Sequence, residues 1–334
     1  MKSFTRKSIL FLFFVAVGRF SNVWAEFTAI TQGTMFYTDD VGIFSATRRL
    51  TRDGDPTQPA LDSKLTGQGS DFVFDPRAEL TKSFDNRYGS TALSLEGSGF
   101  LYVSNSRYNH GVLRAQLSHA FTPETTLLFR YYYSPDLYLG ENEERQTGTF
   151  QIVEEKVTSH IWSTQISQEL SPDLKAKLLG RYGQRRYNQA FSERNTDFWT
   201  IGPHLEWQLW PVATLGLSYH YERGLADGRN QAQYEDDVSY INHYMSVDLD
   251  VELTEKYSLS TAFHYERNNW TSSLEGDERN GAHENVYQGE IMIAYRVSET
   301  VKAYTGMQYS NRKESFEVDA AKNLNIGLGV TASF

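Results

Sequence analysis

The chain ends NLNIGLGVTASF, Asn323 to Phe334. Every second side chain is apolar: Leu324, Ile326, Leu328, Val330, Ala332 and Phe334. Between them stand Asn325, Gly327, Gly329, Thr331 and Ser333, all polar or lacking a side chain. Period two places these two sets on opposite faces of a β-strand. One face asks for hydrocarbon and the other accepts water.

The same alternation recurs upstream. Asn285–Val297 sets Tyr287, Ile291, Ile293, Tyr295 and Val297 against Gln288, Glu290 and Arg296. Lys256–Asn268 sets Tyr257, Leu259, Phe263 and Tyr265 against Ser258, Ser260, His264 and Glu266. Asp237–Leu253 and Asp197–Leu209 repeat the pattern, and no stretch beyond the N-terminus reads convincingly at 3.6 residues. The connections alternate in length. TPET (Thr122–Thr125), PVAT (Pro211–Thr214) and SET (Ser298–Thr300) are tight. GENEERQTGTF (Gly140–Phe150), GLADGRNQAQYEDD (Gly224–Asp237) and SSLEGDERNGAHE (Ser272–Glu284) are long and polar. SYHYERG (Ser218–Gly224) returns as AFHYERN (Ala262–Asn268), 44 residues later, one hairpin unit per period.

This pattern predicts an all-β fold, a transmembrane antiparallel meander β-barrel with tight turns at one rim and long loops at the other. The strands are predicted at 34–49, 71–83, 91–104, 111–121, 125–135, 152–170, 173–189, 197–209, 213–222, 238–253, 256–268, 285–297, 300–312 and 323–334, about fourteen in all. Residues 26–70 are the weak point. If they form a linker or plug-like segment, twelve strands remain.

Composition agrees. Mean hydropathy is −0.52, too low for a bundle of membrane helices. The N-terminus has a basic start (Lys2, Arg6, Lys7), a short apolar run (Ile9–Val17) and a small-residue site at Val23-Trp24-Ala25. Residues 1–25 therefore read as a cleaved signal peptide, and 26–334 as a single barrel domain. Cleavage removes four basic residues and no acid, taking the net charge from −10 to −14. An exported acidic chain is no nucleic-acid binder. Cysteine is absent, so no disulfide supports the fold.

The terminal alternation with a final Phe resembles the C-terminal signature of Gram-negative outer-membrane proteins. That resemblance implies an outer-membrane location in contact with lipid. It also implies that Leu324, Ile326, Leu328, Val330 and Phe334 form the assembly signal read by the barrel-assembly machinery. In architecture the chain looks like the porin-like barrels, and more loosely like barrels that accompany exopolysaccharide and export systems. The function implied is passive diffusion of a small polar or charged solute. The alternatives are a non-conducting barrel with a structural, export-accessory or adhesin-like role, and an outer-membrane lipid hydrolase.

Phase assigns the lumen. Its inward candidates are Arg114, Arg130, Lys175, Lys177, Arg181, Arg185, His204, Glu206, His220, Glu222, Asp248, Asp250, His264, Glu266, Glu290 and Arg296. So many charges need water or each other. Bases gather on 173–189 and acids on 238–253, which sets a field across a pore. Tyr131, Tyr133, Trp162, Tyr182, Tyr219, Tyr221, Tyr265 and Tyr309 fit a girdle at one border, and Trp207, Phe121 and Tyr257 at the other. Tyr102, Tyr132 and Tyr304 have the opposite phase.

Three His-x-Glu pairs (His204/Glu206, His220/Glu222, His264/Glu266) put each His beside its own Glu on one face. They lie at different heights, so they read as local ion pairs and no metal or cofactor is expected. Ser118-His119 and His160/Ser163 fall on opposite faces, as a nucleophile and its base should not. Ser218/His220 has the right parity but points inward. Phase also predicts that Leu328→Arg is costly and that Gly329→Ser, on the lumen side, is tolerated.

Overall fold

The computed structural model describes residues 26–50, 56–59, 69–315, 317 and 319–334. The signal peptide expected at 1–25 lies outside the described residues. Fourteen antiparallel strands close into one barrel in chain order. They are β1 (Glu26–Thr38), β2 (Asp71–Asn86), β3 (Gly89–Tyr102), β4 (His110–Ala120), β5 (Thr125–Glu143), β6 (Ile152–Ser171), β7 (Leu174–Tyr187), β8 (Thr196–Trp210), β9 (Ala213–Ala226), β10 (Tyr240–Glu252), β11 (Tyr257–Trp270), β12 (His283–Arg296), β13 (Val301–Glu314) and β14 (Ala321–Ser333). The ends meet where Ala29 and Phe334 exchange backbone hydrogen bonds of 3.0 and 2.8 Å. Closure pairs the backbone edges that an open sheet would leave bare in hydrocarbon.

The alternation read from the terminal strand sorts outside from inside. Leu328 is 65% exposed on the outer surface, while Asn323 and Asn325 of the same strand are buried within. Around the barrel Leu95, Phe129, Ile166, Ile201, Phe263 and Ile293 continue an outward apolar band, bordered by Trp162, Tyr182, Tyr287 and Tyr309 towards one rim and by Phe121, Trp207 and Tyr257 towards the other. Water cannot cover such a band, and a bilayer can. At one rim β8 passes to β9 through Pro211 and Val212 alone, while at the other 227–239 and 271–282 form long loops.

The first strand is displaced from its expected place at 34–49. β1 begins at Glu26, pairs with β2 from Glu26↔Ser83 to Thr38↔Asp71, and ends at Thr38. The rest of the expected strand is a helix, α1 (Val41–Arg49). Asp40 makes the difference. Its side chain accepts from the Gly42 amide and caps the helix. Val41 and Phe44, three apart, then share a buried face.

Gly329 faces inward as expected, but the tolerance expected of Gly329→Ser meets an obstacle there. A Cβ on Gly329 would lie 2.5 Å from the Tyr304 ring, which lies across it from β13. Phe36 covers Gly327 in the same way. These glycines make room for rings on the neighbouring strand.

Candidate functional site

α1 lies inside the barrel. Its apolar face packs on Val73, Phe100, Tyr102 and Tyr108, with Phe44 at 5.9 Å from the Phe100 ring and 6.0 Å from Tyr102. Its polar groups bond to neighbouring strands on the other side of β1 and to β11. Gln308 donates to the Thr47 carbonyl (3.1 Å), Asn325 to the Thr47 hydroxyl (3.2 Å), and Arg49 pairs with Glu266 at 2.5 Å. Further along, Ser159 donates to the Thr57 carbonyl (2.9 Å) and Gln58 meets His110 at 3.0 Å. α1 thus meets β11, β13 and β14, and Thr57 and Gln58 meet β6 and β4. Of the stretch 26–70, expected to be partly a linker or plug-like, the described residues beyond β1 are Asp39–Leu50, Pro56–Pro59 and Gly69–Ser70.

Against this segment lies a cavity of about 410 Å³. Arg114 and Arg130 reach it from β4 and β5, and Lys177, Arg181 and Arg185 from β7. Glu206, Glu222, Asp248 and Glu266 reach it from β8–β11, with His204 and His220 between. α1 adds Arg48 and Arg49, β2 adds Arg77 and β3 adds Glu96. Eight basic side chains and five carboxylates therefore line the space.

Pairing is uneven. Arg114 bonds Glu79 (3.0 Å) and Glu96 (2.5 Å), and Lys177 bonds Glu206. Arg130 donates to the Gln116 amide oxygen at 2.9 Å, its charged neighbours are Arg114 and Arg181, and no carboxylate pairs with it among the described residues. Arg181 reaches Glu222 only at 3.9 Å, while Glu222 already accepts from Thr200 (2.5 Å) and Tyr240 (2.7 Å). The Arg181 Nε finds no partner among the described residues. Register sets Arg130, Ser163 and Arg181 side by side across β5–β7, two guanidinium groups flanking a serine.

The remaining inward candidates lie off the cavity. Lys175 pairs with Glu169 at 3.8 Å, Asp250 accepts from Ser260 at 2.6 Å, and Arg296 sits opposite Lys302 near the tight-turn rim. His264 and Glu290 meet each other at 3.0 Å. Of the inward tyrosines, Tyr132 lines the cavity and Tyr304 bonds Gln32 and Thr34.

The three His-x-Glu pairs do not form as expected. His204 Nε2 meets His220 Nε2 at 2.7 Å and His204 Nδ1 meets the Ser218 hydroxyl at 3.2 Å, while His264 bonds Tyr244 at 2.8 Å. The glutamates go elsewhere, Glu206 to Lys177 and Glu266 to Arg49. Except for His204 with Ser218, directly opposite it, the partners lie diagonally on the adjacent strand or on α1, and diagonal neighbours are within reach of long and aromatic side chains.

Sequence reading also missed a latch over the long-loop mouth. Arg194 bonds Glu155 (2.9 Å) and Asp236 (2.7 Å), and Arg279 bonds Asp236 at 2.9 Å. All four are buried. Burial alone would raise the Asp236 carboxyl, but Arg194 and Arg279 hold it below the usual carboxylate range. The latch ties β6 and three successive long loops together. No local motif announces it, since its members are about forty residues apart.

The barrel has solved counterparts. The outer-membrane channel DcaP of Acinetobacter baumannii superposes with a TM-score of 0.54 at 10% identity, covering 93% of this chain and 97% of that one. A bacterial polysaccharide outer-membrane secretin gives 0.51 at 9% identity, covering 94% and 100%. OmpT of Vibrio cholerae gives 0.50 at 9% identity, covering 93% and 97%. The fold is that of outer-membrane channels. No protein-family model matches the sequence, and no curated protein is detectably similar to it.

Proposed function

We propose that this protein is an outer-membrane channel that passes small solutes, anions in preference to cations. The tight-turn rim faces the periplasm and the long loops face outward. The cationic excess around the cavity, with Arg130 and Arg181 short of carboxylate partners, carries this reading. A passing anion meets donors around the cavity, and the acids on β8–β11 orient any positive end it carries. The inward segment supplies the constriction.

The second reading is a sealed barrel, favoured by the bridging segment and by the latch over the mouth. Planar-bilayer recording separates the two: conducting steps with an anionic reversal potential support the channel, and a folded but silent barrel supports the seal. We assign no catalysis. Ser218 bonds His204, but the far nitrogen of His204 meets His220, so no carboxylate orients and balances the base as a hydrolytic serine requires.

A further inference from the structure

The outer surface of β10–β13 changes character towards the long-loop rim. Register sets His243, Arg267, Asn285 and Lys313 side by side at one height. Immediately below lie Tyr265 and Tyr287, and beneath them the apolar surface of Phe263, Ile291 and Met307. A groove of about 480 Å³ opens between the upper ends of β12 and β13, with Tyr287 as its floor and Asn285 and Lys313 on its sides. The Glu314 carboxylate at its edge is bonded to Arg312 at 2.5 Å. Tyr265 donates to the Asn285 side-chain oxygen at 2.9 Å, which leaves that amide group's NH₂ as a donor.

The outward positions of β10–β13 carry no Asp or Glu, as on most other strands, so no carboxylate on these strand faces repels an anion here. Moreover, Arg267 and Lys313 pair with no carboxylate among the described residues, nor does Lys322, which stands beside Asn311 on β14. At the same rim Arg186 pairs with Asp197 at 2.5 Å and Lys156 with Glu154 at 2.6 Å, while Arg223, on β9 beside Ile241, is a further outward cation with no carboxylate partner among the described residues.

We propose that this face binds the phosphorylated headgroup of a membrane lipid, with Arg267 and Lys313 as its principal donors. The layers match those of such a lipid. Its acyl chains lie along the apolar surface, its glycerol or sugar region meets the tyrosines, and its phosphate reaches the basic row. Arg267 supplies a planar fork suited to phosphate oxygens, and Lys313 a point charge beside it. The inference requires the barrel to sit in a bilayer and does not depend on whether its lumen conducts.

The test uses the full chain refolded in detergent and offered equal amounts of bisphosphorylated lipid A and its dephosphorylated form, with retained lipid read by native mass spectrometry. Wild type retains the phosphorylated form by about tenfold or more, the worth of a charge-assisted hydrogen bond. The double variant Arg267→Gln/Lys313→Gln loses that preference, and Arg186→Gln/Lys156→Gln keeps it. Folding is checked by heat-modifiable gel mobility. Should the double variant misfold, the exposed single variant Lys313→Gln reports the same loss. Equal retention of both lipids overturns the proposal, as does loss of preference in the Arg186→Gln/Lys156→Gln control. Displacement of the lipid by an equal concentration of inorganic phosphate also overturns it, reassigning the site to free phosphate.

Discussion

Arg130 and Arg181 differ from the other cations of the lumen in what balances them. Arg114 is held by two glutamates, so its truncation would strand acids. Arg130→Ala strands none, because Arg130 bonds only neutral groups. The double variant Arg130→Ala/Arg181→Ala is therefore expected to fold, and to shift the reversal potential in a salt gradient towards cation preference. Lys177→Ala, which frees Glu206, should shift it further. At the outer surface, Leu328→Arg places a charge in the apolar band and should cost about 2–4 kcal/mol in a refolding titration. Gly329→Ser is expected to destabilise too, because Tyr304 must leave its bonds to Gln32 and Thr34. Parity along each strand told which side chains turn inward. It could not tell which cross-strand neighbour each would bond. The glutamates of the His-x-Glu pairs therefore found other partners, and Tyr304 over Gly329 escaped notice.

At the scale of elements, twelve of the expected strands lie close to their observed ranges, because each carries its own alternation of period two, while β5 runs eight residues past its expected end at 135 because irregularities in its pairing after Ser134 break that alternation. The first does not. Residues 26–33 are too weakly apolar to stand out, and Val41–Phe44 looks like strand until Asp40 is recognised as a helix cap. α1 survives inside the lumen through a small aromatic core and a few bonds to β11, β13 and β14. Phe44→Ala removes the centre of that core and should cost about 3–5 kcal/mol. Most of this falls on the docking of α1, since the barrel strands keep their own ladders. Single-channel conductance should rise as the constriction loosens, while the heat-modified gel shift stays that of a closed barrel. An unchanged conductance would mean that α1 does not limit the path.

Across the whole molecule, the barrel is an inverted globule, apolar outside and polar within, whose mouth is tied by charges from distant loops. Asp236 is depressed by Arg194 and Arg279, so its contribution to stability is fully present above its unfolded pKa of about 3.9. That contribution is lost as the pH falls through the lower folded value. Proteolysis of the long loops should therefore stay slow from neutral pH down to roughly that value and quicken only below it. Asp236→Asn leaves two buried arginines short of a partner. It should speed nicking at every pH, at a cost to the latch of roughly 3 kcal/mol. The latch was illegible in the sequence because its residues come from separate loops, and only closure of the barrel brings them together.

Anion passage requires a lumen that is open and cationic at its cavity. The decisive measurement is single-channel recording of the refolded protein in a planar bilayer under a potassium chloride gradient. It should give stable conducting steps and a reversal potential displaced towards the chloride equilibrium value. A correctly folded barrel that stays silent, or one whose reversal potential lies on the potassium side, would contradict it.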